Sequence, residues 1–464
     1  MKACYMTCLT DINCRTISFD QFNNQCELFA DIPSQYGSLI AQAGVMSFIA
    51  VNRQLLARKQ RLDASITTSS TTSTTTATTA TVTTTVTTTP SSISSTTSSS
   101  STSSSSSSSS STTTTSSTST TTSTTTIIMA WKTAANMNGG RDTYAGSILT
   151  NGKVLVTGGS NNGYVIGTEL YDPSTNNWTT TANLNTARWR HSASILSNGK
   201  VLVTGGQASS GYLNSAELYD PSTSTWTTTA NMNVARSQHT TFILLNGSVL
   251  VAGGQGTSGT YLNSAELYNP STSIWTTTGN MNVARSQHTA SILSNGKILV
   301  TGGQGTGGTY LNSAELYDPS TNIWTTTGSM TNARYYHTAS VLSNGKVLVS
   351  GGQGTAGAYL NSAELYDSST NTWTTTGNMN VARYAHTASI LSNGKVLVTG
   401  GFRDSSFVLN SAELYDPSTS TWTTTVNMTV TRRSHSAFIL SNGKILVAGG
   451  NDGSATVNSA ELYG

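Results

Sequence analysis

From residue 127 onward the apolar residues come in short bursts, separated by glycine and by Ser, Thr and Asn. A run of the form H-T-A-S-I-L is followed by S-N-G-K and then by V-L-V-T-G-G, as in 386–401. Asn-Gly between two apolar runs is a strong hairpin signal, because the turn needs a positive φ that glycine adopts freely. The pattern predicts two antiparallel strands. A Gly-rich loop then leads to N-S-A-E-L-Y, to a D-P-S-T turn with proline pre-set for its second position, and to W-T-T-T. These predict a third and a fourth strand.

The unit recurs every 47 to 49 residues. Its markers are Trp131, Trp178, Trp226, Trp275, Trp324, Trp373 and Trp422. Glycine pairs recur in step: Gly158 with Gly159, Gly205 with Gly206, Gly253 with Gly254, Gly302 with Gly303, Gly351 with Gly352, Gly400 with Gly401 and Gly449 with Gly450. So do Tyr171, Tyr219, Tyr268, Tyr317, Tyr366, Tyr415 and Tyr463. Tandem four-stranded units of this length predict an all-β propeller in which each blade covers the exposed face of the one before. The last copy stops after its third strand at Tyr463-Gly464, whereas Trp131 opens the array on a fourth. The two fragments should complete one blade, giving seven blades closed by the strand around Ile128 to Ala135 and leaving no open sheet edge. Glycine pair, tyrosine and tryptophan in this order resemble the kelch repeat, over residues 127–464. Kelch propellers are similar to the central domain of galactose oxidase, and the chain resembles that broader group too.

Residues 65–126 lack any such pattern: apart from Ile66, Ala77, Ala80, Val82, Val86, Pro90 and Ile93, every position is Ser or Thr. With so little to bury, the ordering entropy is unopposed and the segment is expected to be disordered. Dense Ser/Thr is also the composition of O-glycosylated stalks, a bare tether being the alternative. All four cysteines, Cys4, Cys8, Cys14 and Cys26, fall ahead of it. Together with Ile17-Ser18-Phe19 and Leu28 they resemble the middle of a PAN/apple module, in which a helix bearing two cysteines is stapled to a small sheet. The module's usual first strand and outer cysteine pair are missing. The resemblance implies Cys4–Cys26 and Cys8–Cys14 disulfides, one of three connectivities open to four cysteines. The expected organisation is therefore a PAN-like unit at 1–54, a basic then Ser/Thr-rich linker at 55–126, and the propeller at 127–464.

Stapled cysteines and a mucin-like stalk suit an oxidising, extracellular setting, and the sequons at Asn177, Asn246 and Asn427 are compatible with it. Met1-Lys2 is not followed by an apolar signal-peptide core, so the expectation is a secreted protein whose sequence here lacks its true N-terminus. A cytosolic protein with free thiols and a zinc site are the alternatives; the spacing lacks the paired C-x2-C of zinc knuckles.

Only 9% of the chain is charged, with a net charge of +3, which excludes a nucleic-acid binder driven by a basic patch. No stretch approaches the roughly 18 apolar residues of a membrane helix. Every histidine, His191, His239, His288, His337, His386 and His435, holds one repeat position in R-x-x-H, with Arg141 and Tyr144 in the first copy. One histidine per blade is too dispersed for a shared metal, so each is expected to tie its strand to a neighbouring turn. Arg188, Arg236, Arg285, Arg334, Arg383 and Arg432 match Glu217, Glu266, Glu315, Glu364, Glu413 and Glu461 in number, suggesting blade-to-blade ion pairs. No cofactor, metal or catalytic residue is expected. The copper site of galactose oxidase relatives uses a Tyr cross-linked to a Cys, a second Tyr and two His, and no cysteine follows Cys26.

In so uniform an array the informative positions are those at which the copies differ. The pair inside R-x-x-H reads Asp142-Thr143, Trp189-Arg190, Ser237-Gln238, Ser286-Gln287, Tyr335-Tyr336, Tyr384-Ala385 and Arg433-Ser434. The loops after the glycine pairs vary as well, as at Phe402-Arg403-Asp404. Both sets belong to the same end of an antiparallel blade, so they should ring one mouth of the central channel. A ligand face is expected from Trp189, Arg190, Tyr335, Tyr336, Tyr384, Phe402, Arg403 and Arg433, residue types that dominate binding energy; neutral drift of solvent-facing residues is the alternative. Kelch and PAN families bind partners, which implies a monomeric, non-enzymatic binding or adhesion protein with a protein or glycan ligand. A carbohydrate-active enzyme and an intracellular kelch scaffold are the competing readings.

Overall fold

The computed structural model describes residues 129–404 and 407–464, together with the backbone of four strands nearer the N-terminus, Cys14–Asp20, Gln25–Ala30, Leu39–Gln42 and Val45–Phe48. The first two pair antiparallel with Phe19 opposite Cys26, and the last two with Leu39 opposite Phe48. The expected cysteine-bearing helix, the Cys4–Cys26 and Cys8–Cys14 bonds and the Ser/Thr linker lie outside the described residues.

From Met129 on, the chain forms seven four-stranded antiparallel sheets. In blade 1 the strands are Ala145–Ile148, Val154–Thr157, Thr168–Asp172 and Asn177–Thr181, from the centre outward. Blades 2 to 6 open on Ser192–Ile195, Thr240–Ile243, Thr289–Ile292, Thr338–Val341 and Thr387–Ile390. Blade 7 has Ser436–Ile439, Ile445–Ala448 and Ala460–Tyr463, and Trp131–Ala134 completes it with Trp131 opposite Tyr463. Seven blades and closure by the first propeller strand agree with the expectation. The hairpins differ in detail: strands end at Ile292 and resume at Ile298, and only Gly296 takes a positive φ, of 78°. That is a longer loop, not a two-residue turn with both centres left-handed.

The cores lie between blades. Val201 and Val203 share a core with Leu155 of blade 1, whereas Leu202 shares one with Val249 and Val251 of blade 3. Both faces of the second strand are therefore covered, so V-L-V-T carries no apolar/polar alternation. Further out, each tyrosine of the third strand faces a tryptophan of the fourth, as Tyr268 faces Trp275 with ring centroids 4.9 Å apart. The Trp275 indole donates to the Ala230 carbonyl of the preceding blade at 2.8 Å.

The glycine pairs join blades through their backbone. Gly159 and Gly206 donate their N–H groups to the Arg188 and Arg236 carbonyls of the connection entering the next blade. Their φ values are 101° and 93°, and a Cβ would lie 2.7 Å from the Asp142 carbonyl at Gly159 and 2.8 Å from the Trp189 carbonyl at Gly206. Gly158 and Gly205, also at positive φ, would press a Cβ against the same Arg188 and Arg236 carbonyls. Only glycine accepts both the backbone angle and the close approach. The marker residues are thus blade-joining contacts, which is why all copies keep them.

Candidate functional site

The mouth stands on a buried polar frame. Seven Arg–Glu pairs, including Arg141–Glu169, which the sequence reading left unpaired, close at 2.6 to 2.9 Å. Arg285 lies just ahead of blade 4 and Glu315 on the third strand of that same blade, so the pair does not bridge two sheets as expected. Arg285 Nη1 also donates to the Gly302 and Ser313 carbonyls, and Glu315 accepts from the Asn282 and Val283 backbone. The pair therefore anchors the incoming connection to the blade it enters. Both terminal nitrogens and both carboxylate oxygens are engaged, leaving Arg285 Nε alone without a partner. Such near-complete pairing is the condition under which a buried ion pair is tolerated.

The histidines also differ from expectation, because they reach hydroxyls on the strands of the preceding blade and not turns. His191 Nε2 is 2.8 Å from Thr157 Oγ1, and His288 Nε2 is 2.9 Å from Thr240 Oγ1. Burial drives the His191, His288 and His386 imidazoles down to about 3, assisted by the neighbouring frame arginines. They are neutral struts. His239, His288, His337, His386 and His435 border the axial channel, a cavity of about 540 Å³.

Above this frame the two variable residues of R-x-x-H take separate roles. The first pairs with the residue after the glycine pair, as Trp189 pairs with Gln207 and Tyr384 with Phe402, through reciprocal backbone hydrogen bonds. The two variable sets are thereby brought side by side. The second adopts a left-handed backbone in all seven copies, with φ between 47° at Thr143 and 56° at Gln238. Its N–H donates to the equivalent carbonyl of the preceding blade: Arg190 to Thr143, Gln238 to Arg190, Gln287 to Gln238, Tyr336 to Gln287, Ala385 to Tyr336, Ser434 to Ala385 and Thr143 to Ser434. The bonds close on themselves in a continuous ring. Left-handed non-glycine residues are strained, and this ring holds them in place. No feature of single repeats signals it, since the residues involved share only their position.

On the ring sits a cavity of about 290 Å³ bordered by Asp142, Thr143, Trp189, Arg190, Tyr335, Tyr336, Tyr384, Ala385, Arg433 and Ser434. Six of the eight expected ligand residues converge there. Phe402 stands behind them, edge-on to Tyr384 at 5.5 Å and under the Arg433 guanidinium at 4.9 Å. Arg403 does not border the cavity; it pairs with Asp404 and lies over Phe407. Tyr335, Tyr336 and Tyr384 form an arc with centroid separations of 5.1 and 6.1 Å. Tyr310 stacks on Tyr335 at 4.6 Å, and Tyr359 packs on Tyr384 at 5.3 Å. The sequence reading missed these two, although a tyrosine recurs ahead of L-N-S at Tyr212, Tyr261, Tyr310 and Tyr359. Burial pushes the Asp142 carboxyl up, against the hydrogen bond from Thr143 and the charges of Arg433 and Arg190.

A closed ring of seven four-stranded blades, with variable side chains gathered at one mouth, defines a β-propeller of the binding or scaffold kind. Residues 143–185, 188–233 and 239–282 match the Kelch motif, and residues 276–450 match the KLHDC2/KLHL20/DRC7 Kelch-repeats domain. The propeller belongs to the kelch-repeat family. No curated protein matches the chain. Among solved structures it is similar to a fungal alcohol oxidase of the AA5 family in complex with copper, at 19% identity and a TM-score of 0.60 over 72% of this chain and 76% of that one. It is also similar to YjhT, at 17% identity and a TM-score of 0.51 over 63% of this chain and 99% of that one. These likenesses are of fold.

The oxidase neighbour invites a test for copper. Residues 127–464 contain no cysteine, and among the described residues no three His, Cys, Asp or Glu side chains gather closely enough to hold a metal. The histidines that could serve as donors are hydrogen-bonded into the frame, one in each of blades 2 to 7. The donor set does not fit a copper-radical centre.

Proposed function

We propose that the protein is a non-catalytic, extracellular recognition protein whose propeller mouth binds a protein or glycan partner, with the PAN-like unit as a second recognition element. The observation that carries this reading is the convergence of Trp189, Arg190, Tyr335, Tyr336, Tyr384 and Arg433 on one cavity. Such side chains are the usual energetic anchors of interfaces, and a rigid ring beneath them spares the ordering cost of binding. Fold alone carries no activity. Among the residues that border the cavity Asp142 is the single carboxyl, so a carboxylate pair for acid–base catalysis of glycoside cleavage lacks its second member.

The experiment is binding of the full chain to an array of glycans and extracellular proteins, beside a Trp189→Ala/Tyr335→Ala/Tyr384→Ala variant of equal melting temperature. A ligand held by the parent and lost by the variant is the expected result. Equal binding by both would move recognition away from the mouth. The extracellular reading is tested on protein from its native source: enzymatic O-deglycosylation should lower the apparent mass, and an unchanged mass would count against a glycosylated stalk.

A further inference from the structure

The mouth cavity is unequal in its hydrogen-bonding capacity. Trp189 Nε1, Arg190 Nε and Arg433 Nε are buried and make no hydrogen bond among the described residues. Several frame arginines also leave Nε open, but their terminal nitrogens are held by a glutamate and by carbonyls, as at Arg285. The guanidiniums of Arg190 and Arg433 have no ion-pair partner among the described residues; Arg190 lies 4.2 Å over the Trp189 ring and Arg433 over Phe402. Two guanidiniums bordering one cavity, with terminal nitrogens that meet no carboxylate or carbonyl among the described residues, match it to an acceptor-rich, negatively charged occupant. The order around the ring sharpens this. Blades 7, 1 and 2 contribute Arg433, Asp142 and Arg190 in succession, and blades 5 and 6, next around the ring, contribute Tyr335, Tyr336 and Tyr384. One side of the mouth is cationic around a single carboxyl, and the other is a wall of aromatic faces.

We propose, building on the recognition role above, that this cavity takes the carboxylate- or sulfate-bearing ring of an acidic saccharide. The anion lies between Arg190 and Arg433, the sugar ring packs on the tyrosine arc, and Asp142 accepts a hydrogen bond from a ring hydroxyl. At about 290 Å³ the cavity has room for one substituted ring, at the lower end of small-molecule sites. An acidic peptide brings the same carboxylate to the two arginines but no hydroxyl-bearing ring to meet Asp142 and the tyrosine arc together, so it fits less well.

Calorimetric titration of the full chain with glucuronate, galacturonate and sulfated glucose, each beside its neutral parent sugar or methyl ester, tests the inference without any substitution. Each acid should bind at least about tenfold more tightly than its neutral counterpart. Arg190→Gln/Arg433→Gln should erase that difference while Arg403→Gln, outside the cavity, keeps it. Free sugars and the same units at the ends of immobilised oligosaccharides are run in parallel; binding of both identifies a terminal unit as the natural source, and binding of the free form alone identifies a small metabolite. Equal binding of acid and neutral sugar, lost in the triple aromatic variant, would overturn the anion and leave the mouth as the binding face. Binding of a Glu-rich peptide with no saccharide bound would overturn the saccharide, and no binding by any probe would overturn both.

Discussion

Arg188 and Arg190 are two residues apart and live in opposite chemical worlds. Arg188 is fully buried, donates to the Gly205 and Ser215 carbonyls and the Ser215 hydroxyl, and meets Glu217 at 2.6 Å. Arg190 rests on an indole ring and forms no ion pair among the described residues. Arg432 and Arg433 repeat the contrast in adjacent positions, with Arg432 locked to Glu461 and Arg433 lying over Phe402. Side-chain type alone therefore says nothing about role. What separates the two classes is whether the surrounding blade occupies the terminal nitrogens of the guanidinium or leaves them open.

The largest way to break the frame is to remove its closure. Deleting residues 127–136 takes away the strand opposite Ala460–Tyr463 and should abolish the single cooperative calorimetric transition; a deletion variant melting like the parent would refute strand closure. Next comes a cut inside one blade. Arg285→Met leaves Glu315 buried without its partner and should cost about 3–5 kcal/mol in urea unfolding, whereas Arg190→Gln should stay within about 0.5 kcal/mol. Similar losses for the two would erase the distinction drawn above.

Acid should act on the frame before the mouth. The folded chain holds His191, His288 and His386 at about 3, while the unfolded chain protonates them near 6.5. Stability is therefore complete above pH ~6.5 and is lost as pH falls towards ~3, at up to about 1.4 kcal/mol per pH unit for each histidine. Melting temperatures that stay flat from pH ~7 to ~4 would contradict neutral, buried imidazoles. The smallest effect belongs to Asp142→Asn, which should change the melting temperature by no more than a degree or two; a large shift would make Asp142 part of the frame.

Most of the fold was legible because its signals repeat. Glycine pair, Tyr and Trp each answer to a blade-to-blade contact that recurs, so their register revealed blade count and closure. The partners of the buried polar groups were less legible. Arg285 and Glu315 lie thirty residues apart, and nothing in their spacing says whether the pair closes within a blade or across two. Histidine reaching back to Thr157 or Thr240 is likewise a consequence of how neighbouring blades stack. At the mouth, variability picked out six residues that border one cavity and also Arg403, which lies outside it, and it passed over Tyr310 and Tyr359 because those tyrosines recur instead of varying.

The ring of left-handed residues has an electrostatic consequence. Each peptide carries a dipole of about 3.5 D, and here the N–H groups point head to tail around a closed circle. Vectors that circulate in this way sum to zero in the plane of the ring, unlike the aligned peptides of a helix, whose end attracts an ion. Within the plane of the ring the backbone thus contributes almost no net dipole at the mouth. The charges that an arriving molecule meets there are then those of the side chains, so exchanging Arg190 and Arg433 for acids should invert the sign of the mouth.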